Sequence, residues 1–268
     1  MLGVFILGAI MYAIMILGVE LNETAMATFQ KDTKTKDSFE GKKGKGSFLI
    51  PRKDFFVTPI ILDLNILLYL IMVCKGIGIT SFKARDLLNW GANHGPSIGN
   101  GQWWRLLTST FIHGGSMHLL CNMLSLFSVG ALLEPLLGRF KYVIAYIATG
   151  ILASSISMWW HPEIISIGAS GAIFGLYGVL VTLLLLKTFD KELNKELLSN
   201  TLFFLGYNLL QGSMDNCIDN AAHIGGLLNG CIIGWLFRYF AKKKKPEGKS
   251  PVKWDSPWNS PEENVKKA

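Results

Sequence analysis

Three short stretches of this chain combine hydroxyl, imidazole and amide side chains with apolar residues. In FIHGGSMHLLCNML, His118 and Asn122 are four residues apart, which puts them on one face of a helix; His113 lies five before His118. In GASGAIFG, Ser170 stands among glycines and alanine at the start of a hydrophobic run. In DNAAHIGGLLNG, Asp219 and His223 are again four apart. A serine hydroxyl beside an imidazole is a pairing suited to nucleophilic catalysis, the imidazole taking the proton as the oxygen attacks a carbonyl.

Each stretch alone has a plainer reading. Ser170 fits as a small packing residue bonded to its own helix, and His118 with Asn122 fits as interhelical glue. His223 fits a structural hydrogen-bonder or an ion-pathway residue as well as a base. Asp219 fits a helix cap, because carboxylates favour helix N-termini. His94 and His161 receive no role. Several histidines and an aspartate leave a metal site open, but no HExxH or comparable ligand spacing supports one, and neither a metal nor a cofactor is expected.

The elements that must position these groups are membrane helices. The chain has 268 residues, of which 50% are hydrophobic and 17% charged. The charges concentrate in blocks, KDTKTKDSFEGKKGKG and AKKKKPEGKS, separated by apolar stretches long enough to cross a bilayer, about 20 residues each. Spans are expected near 56–75, 107–133, 141–159, 169–187, 197–213 and 219–240, with an extra transmembrane helix over 1–19. That first segment lacks a basic leading region and a clear cleavage site, so a signal peptide fits poorly. The domain reading is therefore the extra helix at 1–19, a basic cytoplasmic linker at 20–54, a six-helix core at 55–240 and a flexible basic cytoplasmic tail at 241–268.

The net charge of +7 belongs with this topology and not with nucleic acid. Eight Lys or Arg fall in 31–53, Lys242–Lys245 follow the last span, and Arg139, Lys141, Lys187, Lys191 and Lys195 lie between spans. All fall on one side if six helices alternate, which makes that side cytoplasmic. The three polar stretches then lie at the opposite, outer ends of their helices. Cys74, Cys121, Cys217 and Cys231 have no loop spacing of a disulfide framework.

Glycine spacing indicates how the stretches could meet. Ala222, Gly226, Gly230 and Gly234 recur every four residues beside His223, and Gly171 and Gly175 repeat that interval beside Ser170. Small residues at such intervals let transmembrane backbones approach closely.

With these residues in view, the chain resembles the rhomboid family of intramembrane serine proteases. Trp104-Arg105 resembles the family's WR pair, and His113, His118 and Asn122 its HxxxxHxxxN pattern. Gly168-Ala169-Ser170-Gly171 matches GxSG, and Ala222-His223 through Gly226 and Gly230 matches AHxxGxxxG. Glu134 falls where the family has a structural acid at the cytoplasmic end of the second core helix. The likeness covers about residues 55–240. It implies an all-α polytopic membrane protein with a rhomboid-like six-helix core bundle.

The resemblance further implies Ser170 as nucleophile and His223 as general base, with the Ser170 N–H, His118 and Asn122 as oxyanion donors. His113, Trp104, Arg105, Glu134, Phe174, Gly168, Gly171 and Gly226 would support the site. Phe174 is the departure, since many bacterial members carry tyrosine there; Tyr177, a turn further on, is not expected to replace it. The implied partners are transmembrane protein substrates within the lipid bilayer, cut near the outer face, and the implied location is a bacterial inner (plasma) membrane with the site opening to the extracytoplasmic side. A catalytically silent binder of transmembrane helices is the alternative, and a transporter using buried His and Asp a third reading.

Overall fold

The computed structural model describes residues 50–51, 55–188, 191–215 and 218–243. The expected helix over 1–19, most of the linker and the tail beyond 243 lie outside the described residues. Residues 48–238 form one compact unit, and the described residues after it, 239–243, complete the last helix. No named β-strand occurs among the described residues.

The first long helix, α1 (Val57–Cys74), is apolar along its length and ends where Gly76 turns at φ +78°. The segment that follows is built from short pieces: α2 (Ala84–Trp90), α3 (Gly95–Gly99), α4 (Arg105–Thr108) and a 3-10 turn at Ser109–Phe111. Five long helices complete the bundle: α5 (Ser116–Leu137), α6 (Arg139–Trp160), α7 (Ser170–Leu185), α8 (Lys191–Met214) and α9 (Asn220–Lys243).

Among the described residues, four helices are long and apolar enough to cross a membrane: α1, α5, α6 and α9 through Ala241. The 16-residue α7 is apolar but shorter. Tyr142, Tyr146, Leu126, Leu133, Ile173 and Leu176 are fully buried between helices, while Leu67, Phe140, Leu152 and Leu228 face outward, as an apolar solvent allows.

The second span was expected from residue 107, yet α5 begins at Ser116. Residues 107–115 carry no Asp, Glu, Lys or Arg, so charge does not separate them from the span that follows. Gly114 and Gly115 break the helix there: the Phe82 N–H reaches the Gly114 carbonyl at 2.9 Å, and Gly115 lies against the Thr80 carbonyl. This turn leaves His113 just ahead of α5 and His118 in its first turn.

Polar tethers hold the segment between α1 and α5. Arg105 is buried and donates from Nη1 to the carbonyls of Leu88 at 2.7 Å and Ala92 at 3.0 Å, and from Nε to Gln102 Oε1 at 2.6 Å. Asn93 and Ser166 exchange backbone hydrogen bonds at 2.9 and 3.0 Å, and the Gly168 N–H reaches the Ser109 carbonyl at 2.9 Å. The approach to Ser170 is thus fastened to two parts of this segment.

Candidate active site

α5, α7 and α9 each carry one of these polar residues in the first turn. His118 is the third residue of α5, Ser170 the first of α7 and His223 the fourth of α9. As the first residue of its helix, Ser170 has a backbone N–H without an intrahelical acceptor. Its side chain is half-buried.

The glycine intervals of α7 and α9 meet as a seam. A Cβ on Gly226 would strike the Gly171 carbonyl, and one on Gly230 would strike the carbonyl of Gly175. In the reverse direction, a Cβ on Gly178 would strike the Leu227 carbonyl, while one on Gly171 would lie 3.8 Å from the Ala222 Cβ, in ordinary contact. Side chains larger than hydrogen at Gly178, Gly226 and Gly230 would push the helices apart. Ala222 immediately precedes His223, so the seam carries the imidazole to the first turn of α7.

Phe174 receives it. The Phe174 and His223 rings stack with centroids 4.2 Å apart and planes within 4°. The aromatic one turn from Ser170 therefore packs on imidazole without needing a hydroxyl. Tyr177 does not replace it: its ring lies on Phe204 of α8, centroids 4.7 Å apart. No hydrogen bond joins Ser170 to His223 among the described residues; the seam supplies adjacency.

Gly168 brings His118 to the same place. It turns at φ +110°, and a Cβ there would sit 2.8 Å from His118 Nε2 and 3.8 Å from Ser170 Oγ. Both positive φ and this crowding favour glycine. The Gly114 N–H donates to His118 Nδ1 at 3.4 Å. An accepting Nδ1 in a neutral ring leaves the proton on Nε2, the nitrogen on the Ser170 side. Asn122 is buried and uses one amide N–H on the His118 carbonyl at 2.9 Å, leaving a second N–H.

His113 is fully buried behind His118, ring centroids 5.1 Å apart. Neither of its nitrogens has a well-formed hydrogen bond among the described residues. Burial holds its pKa well below the usual histidine value and the neighbouring His118 adds to this, while the Phe111 backbone offsets part.

Asp219 caps α9, accepting from the Ala222 N–H at 2.9 Å, and Ser157 Oγ donates to its other oxygen. Its carboxylate serves the helix start and α6. Trp104 is exposed, with the Arg105 guanidinium 4.8 Å from its ring centre. Glu134 is remote from these groups along α5 and caps α1. Its carboxylate accepts from the N–H groups of Phe56, Val57 and Thr58 at 2.7, 2.6 and 2.8 Å, and from Thr58 Oγ1 at 2.8 Å. Ser157, Thr58 and Phe204 were not singled out in the sequence; a hydroxyl or a phenylalanine in an apolar span carries no spacing signal of its own. Among the described residues no cluster could hold a metal ion.

Fold and site together describe a multi-pass helical membrane protein with a serine and two histidines at the starts of packed helices. A sequence model of the Rhomboid domain matches residues 100–240. Rhomboid protease GluP of Bacillus subtilis (strain 168) is 36% identical over 173 residues, covering 65% of this chain and 33% of that protein. Putative rhomboid protease YdcA of the same organism is 32% identical over 162 residues, 58% of this chain and 79% of its own length. Rhomboid protease AarA of Providencia stuartii is 29% identical over 214 residues, covering 71% and 75%. The chain belongs to the rhomboid family. It spans a third of GluP and about half or less of several plant relatives.

Proposed function

We propose that this protein is an intramembrane serine endopeptidase that cleaves transmembrane segments by a Ser170–His223 dyad. The observation that carries the reading is the α7–α9 seam, which seats the His223 imidazole on Phe174 beside the turn that bears Ser170. Ser170 Oγ attacks the peptide carbonyl as His223 accepts its proton. The protonated imidazole then returns the proton to the leaving amine, and water hydrolyses the acyl-enzyme. Hydrogen bonds of such pairs often tighten only with substrate bound, so adjacency is the relevant geometry.

The developing oxyanion meets three donors: the Ser170 N–H, the second amide N–H of Asn122 and His118 Nε2–H. Loss of one such donor typically lowers the rate about 10²–10³-fold. His113 braces His118 from behind. The substrate peptide bond must leave its helix to reach Ser170, which favours segments that unwind easily in lipid.

The protease core is residues 55–240. The site end faces the extracytoplasmic side of a bacterial inner membrane, because Arg139, Lys141, Lys187, Lys191 and Lys195 lie at or near the opposite helix ends. The test is purified wild type beside Ser170→Ala and His223→Ala on single-span substrates with mapped products. Each variant is expected to lose at least about 10⁴-fold in cleavage rate while retaining the wild-type thermal midpoint. Cleavage by Ser170→Ala at the wild-type rate would end the assignment. Wild type that binds the segments and cuts none would favour the silent-binder alternative.

A further inference from the structure

His223 lacks one common means of fixing a catalytic imidazole. Its Nδ1 is buried with no hydrogen-bond partner among the described residues, so no acceptor sets the rotation of the ring. Asp219 is committed to the Ala222 N–H and to Ser157. What constrains the ring is the Phe174 plane, and a plane orients only if it is itself held.

The flank of Phe174 is closed by Phe204 of α8, ring centroids 6.4 Å apart and planes tilted 39°. Phe204 rests in turn on Tyr177 at 4.7 Å and 35°. Phe174 and Tyr177 are three residues apart on α7, so Phe204 spans one turn of that helix. Leu205 and Thr201 beside it are buried, which places this side of α8 against the bundle. Four rings from three helices form one array with the imidazole at its end.

We infer that Phe204 is a positioning residue for His223, acting through Phe174 to keep the imidazole plane turned toward Ser170; this rests on the Ser170–His223 reading above. α8 contributes none of the groups assigned to bond making, yet it supplies the outer support of the base.

The test uses the full chain and two readouts. One is the rate at which a small fluorophosphonate labels Ser170, a reaction that needs the base and no docked helix. The other is the kcat and KM for a single-span substrate. Phe204→Ala and Phe204→Leu should lower the labelling rate and kcat together by about threefold to tenfold, the scale of an aromatic pair. KM should stay within about twofold, and Phe204→Tyr, which keeps the ring, should restore both rates. Leu152→Ala, on the outward face of α6, should match wild type.

Labelling of both Phe204 variants at the wild-type rate, or a loss confined to KM, overturns the inference. So does a Phe204→Leu variant as fast as Phe204→Tyr, since bulk alone would then suffice. If Phe204→Ala unfolds, Phe204→Leu at an unchanged thermal midpoint carries the test. A wild-type protein unlabelled at Ser170 overturns the dyad reading as well, whereas a labelled wild type with unaffected variants overturns this inference alone.

Discussion

Two buried polar places in the bundle differ in how fully their groups are satisfied. Glu134 is 1% exposed, and its two oxygens take four hydrogen bonds from the start of α1. His113 is 0% exposed with both nitrogens unmatched, and His223 keeps a buried unmatched Nδ1. Buried polar groups are ordinarily paired, and leaving one unpaired costs roughly 1–3 kcal/mol. The saturated carboxylate therefore behaves as a fastening between α1 and α5. The unsaturated imidazoles mark the place where the fold gives up stability, which is where chemistry is proposed.

Removing the fastening should have the largest effect on stability. Glu134→Ala leaves three backbone N–H groups without their acceptor and the Thr58 hydroxyl with Tyr142 Oη alone, and is expected to cost about 3–5 kcal/mol. Thermal unfolding in detergent would show it, with activity falling only as far as folded protein is lost. A stable Glu134→Ala with impaired cleavage would break the contrast by placing Glu134 in the chemistry.

The seam comes next. Gly226→Ala inserts a methyl against the Gly171 carbonyl and should cost about 1–3 kcal/mol through overpacking. Because the same shift moves His223 from Ser170, fluorophosphonate labelling should slow even where the protein remains folded. Unchanged labelling and midpoint in Gly226→Ala would show that the helices do not need this approach.

The smallest effect concerns His113. Its folded-state pKa is depressed by burial, so its stabilising contribution is complete above the ordinary histidine pKa of about 6.5 and is lost as pH falls below that value. Each unit of acidification should remove up to about 1.4 kcal/mol until the folded-state pKa is reached. His113→Phe should flatten the fall of the thermal midpoint between pH 7 and pH 5. An equally steep fall in that variant would assign the acid sensitivity to other groups.

Much of the candidate site was legible because the proposed chemistry rests on side-chain types at fixed intervals. Ser170, His118, Asn122 and His223 stand out as polar residues in apolar runs, and the glycine intervals foretold the closeness of α7 and α9. Glu134 was legible as an acid but not as a cap, since its partners are backbone N–H groups that no residue letter encodes. The start of α5 was misplaced by nine residues because 107–115 holds no Asp, Glu, Lys or Arg to mark a boundary, although its Ser, Thr and Gly residues make it less apolar than the span that follows. Phe174 was legible as a departure from the tyrosine of many bacterial members, but the letter does not show that stacking uses the ring face and not a hydroxyl. Phe204 escaped notice because one phenylalanine in an apolar helix resembles any other until its neighbours are known.

The link between α5 and α6 is a single residue, Gly138, at φ +75°. The two 22-residue helices consequently have no slack between them. An inserted residue within α6 ahead of Ser154 would turn the rest of that helix by about 100° and carry Ser154 and Ser157 off the faces that meet Ser109 and Asp219. Length variation in this part of the chain is thus strongly penalised. The pair is suited to enter the bilayer as a preformed hairpin, one leg bearing His118 and Asn122 and the other the serine that secures α9.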